Sequence, residues 1–135
     1  MSLRYDQLEH VRPYHSAARI STNGTSYKIA EADTATIADP ELITMLRNII
    51  ICNTEFFDVV CTFFIVGGNS TTAFLKVVVL KDSTTIALQT NAPIILRGND
   101  ELKMKSERYD GAASSSTAQK VHVNVMGMEM QGGND

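Results

Sequence analysis

The chain has no tryptophan, three prolines, three histidines and two cysteines in 135 residues. Its four tyrosines, Tyr5, Tyr14, Tyr27 and Tyr109, are widely spread, so it supplies little of the aromatic platform on which a carbohydrate-binding module stacks sugars. Cys52 and Cys61 have no second pair at zinc spacing, which removes zinc-finger and disulfide-framework classes and leaves buried thiols as the expectation. Twelve Lys and Arg against fifteen Asp and Glu give a net charge of −3, with no basic cluster. A sequence-independent grip on phosphates is therefore not expected, and nucleic acid is a poor partner. No apolar run approaches the roughly 18 to 20 residues of a membrane span. Met1-Ser2-Leu3-Arg4-Tyr5-Asp6 leads into polar sequence rather than an apolar signal core, so the expectation is a chain made and assembled in a cytoplasm, with no membrane partner.

Catalytic and metal signatures are equally thin. His10 and His15 lie five apart, a spacing that fits neither helical neighbours nor one strand face, and His122 is distant; all three read as surface or interface histidines. Ser114-Ser115-Ser116 lies outside any Gly-x-Ser-x-Gly elbow. Gly67-Gly68-Asn69 lacks the lysine and following helix of a phosphate cradle, so it reads as a turn. Asp82, Asp100 and Glu101 occupy turn positions, where carboxylates accept backbone donors, and Asp110 lies in a Gly/Ser-rich loop. These readings predict no enzyme, no cofactor and no metal.

What the sequence does contain is β pattern. Arg47 to Val66 is its richest run of β-branched and aromatic residues, interrupted by Asn53-Thr54-Glu55 and closed by Gly67-Gly68-Asn69. It reads as a hairpin of Asn48–Cys52, apolar on both faces, with Asp58–Val66, Cys52 and Cys61 facing one another across it. Asn23-Gly24 between Tyr14–Ser21 and Thr25–Ala30 predicts a second hairpin. Asp39-Pro40-Glu41 predicts the start of one short helix to Leu46. Further strands are expected at Ala73–Leu80, at Thr85–Gln89 with Ile86 and Leu88 on one face, at Ile94–Leu96 after a turn at Asn91-Ala92-Pro93, at Leu102–Lys105 and at Val121–Val125. Tyr109–Ala118 reads as a long surface loop. The fold class is all-β: an antiparallel β-sandwich, jelly-roll-like, with about eight strands and one short helix. Residues 1–13 form an N-terminal arm, 14–130 the sandwich and 131–135 a polar tail.

From Asn48 to Glu129, the strand after Asn53-Thr54, the Gly/Asn/Ser turn, Phe74-Leu75-Lys76-Val77, Thr85-Ile86-Ala87-Leu88-Gln89, Ala92 to Ser106 and Val121-His122-Val123-Asn124-Val125 follow one another in an order that resembles small virion structural proteins of tailed bacteriophages, particularly marine and cyanobacterial phages. The resemblance implies a non-enzymatic virion component: a capsid decoration or cement protein first, a neck, tail or fibre-adaptor subunit second. It also implies a homo-oligomer, trimer or ring, contacting partners such as major capsid or neck and tail proteins. A carbohydrate-binding module is the alternative of another class. Candidate interface residues are Tyr5, Leu8, Val11 and Tyr14 of the arm, Phe56 and Phe57, which cannot both easily enter one core, and Met128. Met128 alternates with Met126 and Met130 on one face.

Overall fold

The computed structural model describes residues 11–32 and 42–131. Its strands are β1 (Val11–Ile20), β2 (Tyr27–Glu31), β3 (Leu42–Asn53), β4 (Val59–Gly67), β5 (Ser70–Val79), β6 (Ser83–Arg97), β7 (Glu101–Arg108) and β8 (Val121–Gln131). They form two four-stranded antiparallel sheets, ordered β1-β8-β3-β6 and β2-β7-β4-β5. First pairs with last, second with seventh, third with sixth and fourth with fifth. The chain is thus one long antiparallel ribbon, rolled so that successive strands alternate between sheets, which is the strand order of a jelly roll.

Burial follows the pleat, because alternate side chains of a strand point to opposite faces. Leu46, Ile49 and Ile51 of β3 and Val121, Val123 and Val125 of β8 meet Val59, Cys61 and Phe63 of β4 and Leu102 and Met104 of β7, all essentially without exposure. β7 shows the pattern most cleanly: Leu102, Met104 and Ser106 are buried, and Lys103 and Lys105 are not.

Four sequence expectations are corrected. No helix occurs among the described residues: Leu42–Leu46 opens β3, where ladders to both β6 and β8 outweigh a capping signal, and residues 39–41 lie outside the described residues. Neither expected hairpin forms. Asn23-Gly24 does turn the chain, with Asn23 Oδ1 accepting from Thr25 N at 3.0 Å and Gly24 at φ +79°, but β1 and β2 belong to opposite sheets. β3 and β4 are likewise in opposite sheets, so Cys52, half-buried on β3, and Cys61, in the core, are not cross-strand partners; both are free. Asn53 makes that corner: wholly buried, it donates from Nδ2 to the carbonyls of Phe57 (3.0 Å), Val79 (3.1 Å) and Leu80 (3.3 Å) and accepts from Glu55 N (2.9 Å). A turn residue can fix a reversal without fixing which strand pairs with which.

β6 gives the other two corrections. It runs straight through Asn91-Ala92-Pro93, where Thr90 Oγ1 accepts from Ala92 N at 2.9 Å; Pro93 is tolerated because β6 is a sheet edge. A bulge at Ala87 then separates Ile86, which is 58% exposed, from Leu88, which packs on the core, so the two do not share a face.

Candidate interaction surfaces

The β1-β2, β3-β4, β5-β6 and β7-β8 connections gather at one end of the sandwich. Asp58 binds three of them together: its carbonyl accepts from Tyr109 N (3.0 Å) and its Oδ1 from Lys81 N (2.9 Å). Thr54 N reaches the Lys120 carbonyl at 2.9 Å, and Gly24 N reaches that of Ser106 at 3.1 Å. This end exposes Phe56 (75%), Tyr109 (61%) and Leu80 (57%). Phe57 divides from its neighbour by packing on the core, edge-on to Phe56 at 5.1 Å and under the Arg108 guanidinium at 4.4 Å. Arg108 also pairs with Asp110 at 2.8 Å, and that hydrogen bond holds the Asp110 carboxyl below its ordinary range. A recess of about 210 Å³ opens between Thr22–Gly24 and Gly111–Ser114; its charged walls, Glu107 and Arg108, are already paired with Lys105 and Asp110.

The opposite end carries the turns at Gly67–Asn69 and Gly98–Asp100. Asp100 stabilises its own turn, accepting from Arg97 N at 3.0 Å through Oδ2 and donating from its backbone to the Arg97 carbonyl at 2.8 Å. Asp82 and Asn99 adopt positive φ in their turns. Val11, the start of β1, and Gln131, the end of β8, also lie at this end.

Directly opposed residues of a sheet point the same way, so the register defines rows across the first sheet. Arg12, Glu129, Thr44 and Leu96 form an inward row, as do Tyr14, Gly127, Leu46 and Ile94. Arg12 closes the first by pairing with buried Glu129 at 2.7 Å. At Gly127 the strands approach so closely that an added Cβ would overlap the Met45 carbonyl. Between and beside these rows lie outward ones. Pro13, Met128, Met45 and Ile95 form one, crossing all four strands, and Val11, Met130, Ile43 and Arg97 the next. Then come His15, Met126, Asn48 and Gln89, followed by Ala17, Asn124, Ile50 and Ile86, and finally Arg19, His122, Cys52 and Thr84. None of these outward rows contains a carboxylate. Their lower part is a methionine-rich apolar face, with Ile95 45% exposed. His15 Nε2 lies 3.1 Å from Asn124 Oδ1, well apart from the row of His122.

The outer face of the second sheet is of another kind. Lys28, Lys103 and Phe64 share one row, and Glu31, Glu101 and Val66 another. Lys28 pairs with Glu31 at 3.1 Å, which with its charge raises the lysine pKa, and lies 4.0 Å from Glu101. Lys105 pairs with Glu107 at 3.3 Å and lies over the Phe64 ring.

Of the residues singled out by sequence, Tyr5 and Leu8 lie outside the described residues. Val11 and Met128 are brought together on the outer face of the first sheet, Tyr14 turns inward against the core, and Phe56 stands at the far end. Sequence reading missed Met45, Pro13 and Ile95, which adjoin Met128 only through long-range pairing. Among the described residues no group of three or more His, Cys, Asp or Glu is placed to hold a metal ion, and no helix is long and apolar enough to cross a membrane.

No protein-family model matches the chain, and no curated protein matches it. Among solved structures, one described by the words "Bacillus endospore appendages form a novel family of disulfide-linked pili" is similar at a TM-score of 0.45 and 16% identity, over 90% of this chain and 88% of that one. A likeness of that size carries no functional inference.

Proposed function

We propose that this chain is a non-enzymatic structural subunit that works by repeated protein–protein contact, with the outer face of its first sheet as the contact surface. The observation carrying this reading is the row Pro13–Met128–Met45–Ile95, apolar across every strand of a sheet whose outward rows hold no carboxylate. A methionine-rich surface adapts to an apolar partner. Four strands of this length present about 600 Å², close to the ~800 Å² per partner of a standard interface. A jelly roll serves capsid proteins, lectins and cupins alike, so the fold does not choose among them.

Its station is a virion of a tailed bacteriophage, as capsid decoration ahead of a neck, tail or fibre-adaptor place; that part rests on the sequence resemblance over residues 48–129. The expected assembly is a homo-oligomer, trimer or ring, contacting other virion proteins. Light scattering of the full-length chain over a concentration series tests the assembly: a defined multiple of the chain mass is expected, and a monomer throughout would contradict it. Mass spectrometry of gradient-purified phage particles tests the station: the chain should be present in regular copy number, and its recovery only from the soluble lysate would contradict a virion role.

A further inference from the structure

We infer that residues 1–10 of a neighbouring copy cover the Pro13–Met128–Met45–Ile95 row, closing a cyclic homo-oligomer through exchanged arms; the inference rests on the assembly reading above. Its first ground is charge. Stacking two such faces on each other would bring Arg19 and Arg97 together with no carboxylate from either side, whereas residues 1–10 carry Asp6 and Glu9 among Leu3, Tyr5 and Leu8. The second ground is reach: ten extended residues span up to about 33 Å, and the row crosses only about 14 Å between its outer strands.

The third ground is direction. Covering the row of its own sheet would require the segment to reverse beside Val11, yet Met1 to Arg12 contains no glycine, proline or asparagine, the residues that make tight reversals easy. A segment that continues the line of β1 leaves the domain and meets another copy. The fourth ground is closure. Val11 sits in the row next to Met128, so the root of the arm and the surface that receives it share one end of the molecule. Neighbours then exchange arms around an axis at that end and the set closes; an acceptor at Phe56, Leu80 and Tyr109 would instead generate an open head-to-tail array.

The test uses the full-length chain in a Cys52→Ser background. One chain carrying Leu8→Cys is mixed with a differently tagged chain carrying Met128→Cys, the mixture is oxidised, and the non-reduced masses are measured. The expected product is the mixed cross-linked dimer, about tenfold more abundant than with Ile86→Cys, on the same face but in a distant row, as the second chain. Equal yields for the two acceptors, or a Leu8→Cys/Met128→Cys double variant that closes within one chain, would overturn the exchanged arm. If the parent chain still has a multimeric mass in that case, the assembly reading survives without this acceptor. A parent that is monomeric throughout removes both.

Discussion

The two sheets bury the same kind of surface and expose opposite kinds. Outside the second sheet, Lys28, Lys103 and Lys105 alternate with Glu31, Glu101 and Glu107, most of them paired, as befits a wet face. Outside the first, Met45, Met126, Met128 and Met130 lie with Pro13, Ile43 and Ile95 and no carboxylate is present in the rows. Both sheets fill one core equally well, so folding does not require the difference. A contact surface on the first sheet does.

The largest effects should separate the inner from the outer side of β3. Leu46→Ala empties a fully buried site and should cost about 2–5 kcal/mol in denaturant unfolding. Met45→Ala, its outward neighbour, should cost about 1 kcal/mol or less and act on association instead. Equal losses of stability would break the comparison.

Met128→Lys gives the first sheet the character of the second. The mass measured by light scattering should fall to that of a monomer with the melting temperature within a few degrees of the parent. Phe56→Ala, at the other end, should leave the mass unchanged, and a fall there instead would move the contact to the loops.

The cysteines sample the same contrast. Cys61 is buried, and burial, opposed by a hydrogen bond with Ser106, pushes its thiol up to about 12, whereas Cys52 is half-exposed in the row of Arg19 and His122. At mildly alkaline pH iodoacetamide should label Cys52 well before Cys61. The folded protein keeps Cys61 protonated where the unfolded chain releases the proton, so its contribution is full below about pH 9 and is lost as pH rises toward 12. The slope should approach 1.4 kcal/mol per pH unit. It should disappear from the stability difference when Cys61→Ala is the reference.

The smallest effect is expected on the second sheet. Lys103→Ala, on an outer face already laced with ion pairs, should change stability by no more than about 0.5 kcal/mol and the mass not at all.

Much of this contrast was legible in particular residues. The alternation Leu102-Lys103-Met104-Lys105 announced a strand with one wet face, and Met126, Met128 and Met130 announced a shared apolar side. The run Asn48–Cys52, apolar on both faces, was the trace of the first sheet's outer surface, with Ile49 and Ile51 inside and Ile50 and Cys52 outside. Pairing was not legible. Asn23-Gly24 and the turn after Asn53 fix local reversals, but the sheet each strand joins is decided by which partner completes its ladder, β8 for β1 and β6 with β8 for β3. Met45 therefore meets Met128 across a separation no short-range pattern records. The bulge at Ala87, which shifts Ile86 off the face of Leu88, also has no local signal.

The most direct measurement is a peroxide footprint of the methionines, read by mass spectrometry at concentrations where the chain is associated and where it is dissociated. Met104, in the core, is the protected reference. The account predicts that Met45, Met128 and Met130 are oxidised readily in the dissociated chain and become protected in step with the rise in mass. Oxidation of these three at the same rate in both states, while the chain associates, would contradict it.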